Sequence, residues 1–232
     1  MAKVKFYYDF KRDAWSWVVI VKARKRIEQL KMNWRKQVVF IPPKLLNLIK
    51  KKSRKTAENS VQKYLKSHPK KTIRDLIIKT QLIFLEKVWR KIEKRFFERL
   101  EKITGQPIFI KEFKCYLTTG FMCPYNPKNN SFMVSIWHGL PLNITIICHE
   151  IFHLQFLHYY KKYCRKFISE KGLDDLKEAM TFILNTDFND LLLVRDKGYP
   201  AHQKLRGELK KIWKKEKNFN KFLDETIGFI KK

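Results

Sequence analysis

The sequence predicts an α+β fold, a small mixed or antiparallel sheet carried by helices, and three observations predict it. Residues 72–103 repeat apolar side chains at three-to-four spacing, the period of one buried helix face. Residues 108–117 and 131–138 are short β-branched and aromatic stretches, separated by a polar loop over 118–130 that holds Gly120, Pro124 and Pro127. Residues 144–160 then form a run apolar on every side, which is the pattern of a buried helix.

Taken in order, residues 3–10 and 14–21 read as two strands around the turn Lys11-Arg12-Asp13, because aromatic and β-branched residues dominate both. Residues 37–41 form a third candidate strand, stopped by Pro42-Pro43. Residues 44–52 and 56–65 are expected as short basic helices, and His68-Pro69 closes this region. The chain therefore divides into a basic α+β region over 1–68, placed to extend the sheet of its neighbour, and a main domain over 69–232.

The long helix from Thr72 stops at Gly105, with Pro107 forbidding continuation, and its outer face carries Lys87, Arg90, Lys91, Lys94, Arg95 and Arg99. Gly139-Leu140-Pro141 turns the last strand into the apolar helix, and three more helices are expected over 173–186, 201–215 and 219–230. No internal repeat is visible.

With 44% hydrophobic and 14% aromatic residues in 232, disorder throughout is excluded. The 51 Lys and Arg against 22 Asp and Glu give a net charge of +29, a field that attracts nucleic acid or an acidic membrane face. An A/T-rich coding sequence, which favours lysine, accounts for part of that excess. No stretch reaches the roughly 18 apolar residues of a membrane span, so no transmembrane segment is expected. Residues 14–21 are too short for a signal sequence and lack a small-residue cleavage site. Cys115, Cys123, Cys148 and Cys164 show no C-x-x-C spacing and are expected as reduced thiols of a cytoplasmic protein, a Cys115–Cys123 bridge being the alternative.

The chemistry-bearing pentad is His149-Glu150-Ile151-Phe152-His153. On a helix, His149 and His153 stand one turn apart and about 40° around the axis, so both imidazoles can reach one ion. Glu150 is set beside them, where a carboxylate can serve as general base to a water. Burying two His and one Glu costs several kcal/mol unless each finds a partner, and a divalent metal with its water satisfies all three. The bland reading pairs the histidines with backbone and Glu150 with a lysine.

This pentad resembles the His-Glu-x-x-His motif of the zincin superfamily of zinc peptidases. That resemblance implies a zincin-like fold in which the strand ahead of the motif helix is a sheet edge that pairs with extended substrate. One zincin branch takes a third ligand from a His ten residues after the first, but Tyr159 and Phe156 stand where that branch needs His and Gly. The gluzincin branch takes a Glu from the next helix, and Glu178 matches it here, with Asp174 or Asp175 as alternatives. Its helix carries a lysine-free stripe of Asp174, Glu178, Thr181 and Asn185, and Asn185 or Asp174 is expected to orient a His ligand. His158 points away from the pair and is expected to be packed or interfacial.

Gluzincins also supply a downstream Tyr or His that steadies the oxyanion, a place that Tyr199 and His202 occupy; the simpler reading is a helix start at Pro200. The loop Cys123-Pro124-Tyr125, the helix segment Lys177-Glu178-Ala179 and the Gly198-Tyr199-Pro200-Ala201-His202 segment are similar to a bacterial zincin-like family of no assigned substrate. The expected function is zinc-dependent peptide-bond hydrolysis of a peptide or protein substrate. His149, His153 and Glu178 would hold Zn2+, with Glu150 as base. The alternatives are a basic nucleic-acid-associated binding protein with a structural or vestigial metal site, and a peptidase acting on nucleic-acid-bound proteins.

Overall fold

The computed structural model describes residues 2–231. In chain order it runs β1 (Lys3–Tyr8), α1 (Phe10–Lys22), α2 (Arg24–Gln29), α3 (Trp34–Val38), α4 (Pro43–Lys51), α5 (Arg54–Ser67) and α6 (Lys71–Thr104). There follow β2 (Glu112–Thr118), β3 (Tyr125–Asn126), β4 (Ser131–Ser135) and α7 (Leu140–Cys164). The chain closes with α8 (Glu170–Met180), α9 (Ile183–Asp187), α10 (Gln203–Lys215) and α11 (Phe219–Lys231). The class is α+β: mostly helix, with one four-stranded mixed sheet in the order β1-β2-β4-β3.

Two expected strands are helices. Residues 14–21 lie inside α1, because the Asp9 side chain caps the helix by accepting from Arg12 N at 2.8 Å. Trp17, Val18 and Val21 then bury one face of α1 against α4 and α5. Residues 37–41 fall in α3 and the turn after it, where Asn33 caps Lys36 N. Packing against neighbouring helices outweighs the β preference of these branched residues. Together α1 to α5 enclose a smaller apolar cluster from Ala14 to Leu65, while β1 crosses into the main sheet and pairs in parallel with β2.

Helix α6 runs 34 residues and ends where expected, at Gly105 with φ +63°. Trp89, Phe96, Phe97 and Leu100 bury its inner face. Its Glu93 carboxylate, also buried, accepts from the Trp89 indole and from the Val4 backbone N–H, both at 2.7 Å. This contact fastens the first strand to the long helix.

Strand β4 is shorter than the 131–138 stretch predicted, because His138 N turns back to Ser135 O at 3.2 Å. It is also internal to the sheet. It lies between parallel β2 and antiparallel β3, and all five of its residues are buried. The expected substrate-pairing edge directly ahead of the motif helix is thus occupied at Ser131 and Phe132 by the chain's own β3, which the sequence reading had placed in a loop.

From the end of β4, Asn143 donates to Ser135 O at 2.9 Å and fixes the start of α7. By length and composition α7 alone among the described residues is long and apolar enough to cross a bilayer. Its most apolar stretch is 67% buried inside the protein, between the sheet, α6 and α8, which is the setting of a core helix. The helix predicted over 173–186 is two pieces, α8 and α9, broken after Thr181, whose hydroxyl donates back to Glu178 O at 2.9 Å.

Candidate metal centre

Three elements meet at the pentad. Helix α7 presents His149, Glu150 and His153, all nine-tenths buried save His149, whose side chain keeps 12% exposure. Helix α8 crosses it and delivers Glu178, and the extended segment before α10 brings Asp196. Glu178 Oε2 lies 3.4 Å from His149 Nε2 and 3.6 Å from His153 Nε2. The three ligand atoms lie within 4.8 Å of one another, the arrangement that can hold a metal ion.

Two tests on the residues themselves agree with that. A tetrahedral zinc with bonds of about 2.0–2.1 Å spaces its ligand atoms about 3.4 Å apart, close to the 3.4 and 3.6 Å that separate Glu178 Oε2 from the two imidazoles. Moreover, His153 Nε2 and Glu178 Oε2 are buried with no hydrogen-bond partner. Two inward-facing acceptors left unpaired cost on the order of 1–3 kcal/mol each, and a cation between them removes that cost. Glu150 Oε2 is a third such atom, 3.7 Å from His153 Nδ1, too long for a hydrogen bond. It is therefore free for a water.

Neighbouring charges act differently on each of the three groups. Burial alone would keep His149 neutral, but Asp196 and Glu178 outweigh it and lift its pKa to about 10. Burial holds His153 below its ordinary range, offset in part by Glu178. Burial works to raise Glu178, yet His153, His149 and Lys177 keep it well below the usual carboxylate range. Glu178 is thus ionised and ready as a ligand.

A buried scaffold stands behind these groups. Asp196 Oδ2 meets His149 Nδ1 at 3.3 Å, leaving Nε2 to face inward. Asn185 holds Asp196 from both sides of its backbone, donating to Asp196 O and accepting from Asp196 N, each at 2.8 Å. Arg206 donates to Asp196 O at 2.8 Å and to Thr181 Oγ1 at 2.6 Å, tying the segment to α8. Asn185 therefore acts on the His ligand through Asp196 rather than directly.

The other sequence candidates fall elsewhere. Asp174 pairs with Arg26 and Lys177, and Asp175 with Lys171 and His202, so neither reaches the histidines. The Nε2 of His202 is 3.1 Å from Asp175 Oδ1, which turns this imidazole away from the metal-ligand cluster. The Tyr199 ring lies 6.0 Å from that of His202, and burial, and after it the Glu178 and Glu150 carboxylates, raise its phenol well above the ordinary value. His158 is exposed and stacked on Phe109 at 4.3 Å. All four cysteines are free thiols.

Tyr125 and Lys177 stand in the sequence only as members of motifs, and neither Asp196 nor Arg206 is assigned a role there. Asp196 lies 47 residues from His149, and no spacing rule connects the two. The available signal for Lys177 is its place between the apolar Leu176 and the candidate ligand Glu178. No family model, curated protein or solved structure matches the chain.

Proposed function

We propose that the chain is a zinc-dependent peptidase with a zincin-like, gluzincin-type site. The observation that carries the reading is the convergence of His149 Nε2, His153 Nε2 and Glu178 Oε2 at zinc-ligand spacing, with two of the three atoms buried and unpaired. In this reading a bound zinc supplies a Lewis acid that polarises the scissile carbonyl and lowers the pKa of a water toward neutrality.

The chain's own residues do the rest. His149, His153 and Glu178 hold the ion, and Asp196 fixes the His149 tautomer through its Nδ1 proton. Glu150, with a free buried Oε2, takes the proton of the attacking water and later delivers it to the leaving amine. Tyr199 stays protonated and donates to the oxygen that becomes anionic. His202 drops out of that role because Asp175 holds its Nε2. A cavity of about 600 Å3 shares Tyr125 and Lys177 with the site and has room for a substrate side chain.

The deciding experiment is metal content of the purified protein by mass spectrometry, for wild type beside His149→Ala and Glu178→Ala. About one zinc per chain, lost in both variants, supports the site and justifies a peptide-library search. A wild type that takes no metal even when zinc is supplied would end this reading.

A second reading rests on a separate observation, the net charge of +29. In it the basic surface docks on nucleic acid, and the substrates are proteins bound there or the metal site is vestigial. Affinity for nucleic acid that falls steeply with salt and ignores chelator would favour plain binding; cleavage stimulated by nucleic acid would favour the combined activity. The four free thiols fit a reducing compartment, which supports a cytoplasmic location.

A further inference from the structure

Among the described residues, Lys177 is the one ammonium buried against the ligand cluster, with 2% exposure. Its Nζ donates to Glu178 Oε1 at 2.7 Å and to the Tyr125 hydroxyl at 3.0 Å, and it forms an ion pair with Asp174 Oδ1 at 3.2 Å. The group also sits 4.6 Å from the centre of the Tyr125 ring. Two hydrogen bonds and an ion pair hold the ammonium, and moving it would strand a buried charge.

The consequence falls on Glu178. Its two oxygens face opposite ways. Oε1 belongs to Lys177, while Oε2 has no hydrogen-bond partner and lies 3.4 and 3.6 Å from the two imidazole Nε2 atoms. A carboxylate free to use both oxygens would fill the position that a catalytic ion must keep open for water or substrate. A lysine that takes one oxygen keeps the other as the sole ligand atom.

We infer that Lys177 is a positioning residue that confines Glu178 to ligation through Oε2 and so reserves the open position on the ion. The inference rests on the metal reading above and goes one step past it. It also gives Tyr125 a task. Through its hydroxyl bond to Lys177, the two-residue strand β3 is tied to the third ligand, and the wall of the neighbouring cavity is tied with it. A purely structural lysine would neutralise Glu178 and Asp174 without any effect on the number of oxygens bound.

The test uses the full chain loaded with Co2+, whose visible absorption is intense in four-coordinate sites and weak in five-coordinate ones. Wild type and Lys177→Met are each expected to bind one equivalent. The variant should lose visible absorption intensity as Glu178 swings to bind through both oxygens. An identical spectrum in Lys177→Met would overturn the inference while leaving the metal site standing. A wild type that binds no cobalt or zinc would instead defeat the metal reading beneath it. Should Lys177→Met fail to fold by circular dichroism, X-ray absorption or crystallography of zinc-loaded wild type decides: one Glu178 oxygen at bonding distance supports the inference, and two overturn it.

Discussion

His149 is held between two carboxylates, Asp196 Oδ2 at 3.3 Å from its Nδ1 and Glu178 Oε2 at 3.4 Å from its Nε2. The first fixes the ring and the second shares its inward face. Asp196→Asn should therefore keep the fold but weaken zinc binding by about 10- to 100-fold, the usual cost of losing a carboxylate behind a His ligand. Competition against a chromophoric chelator measures it. Unchanged affinity would make Asp196 a partner of Arg206 alone.

Glu150→Gln should bind zinc as wild type does and lose peptide hydrolysis by about 10²- to 10⁴-fold, the range of a removed general base. The pairing of retained stoichiometry with lost turnover is the discriminating result. Equal turnover in the two proteins would remove Glu150 from the mechanism.

Gly198 has φ +59°, and a Cβ there would meet Arg206 Nη1 at 2.7 Å. Arg206 is the buried brace that donates to Asp196 O, Glu178 O and Thr181 Oγ1. Gly198→Ala should cost about 1–3 kcal/mol through strain and should weaken metal binding along with it. Parallel denaturant melts and zinc titrations read both. A stable variant with full affinity would show that the brace tolerates displacement.

Glu93→Ala leaves the Val4 N–H and the Trp89 indole without their shared acceptor at the junction of β1 and α6. Two stranded buried donors should cost about 2–5 kcal/mol, measured by urea unfolding. The zinc stoichiometry of the folded fraction should not change, since this junction lies outside the ligand cluster.

Asp187 supplies a pH dependence. Burial would raise its pKa, but hydrogen bonds from Thr186, Lys217 and Trp213 outweigh it and hold the value below the ordinary 3.8. A depressed folded pKa means stability present above the unfolded value and lost as pH falls through the folded one. The thermal midpoint should therefore fall as the pH drops below about 4, and Asp187→Asn should show a smaller fall. The same fall in both proteins would assign the acid sensitivity to other carboxylates.

Features whose cause is local could be read along the chain. The three-to-four period placed the long helix, Gly105 with its positive φ ended it, and one turn of helix set His149 beside His153. Tertiary structure decided what depends on distant partners. Residues 14–21 became helix because α4 and α5 cover their apolar face. The segment after α9 carries Asp196 to His149 and, through Asp175, turns His202 aside. β3 took the edge of β4, and Lys177 divided the two oxygens of Glu178. Periodicity and capping act over a few residues and are written in the order of the chain. Which buried donor meets which buried acceptor is settled only when packed elements exclude water, and by then the partners lie tens of residues apart.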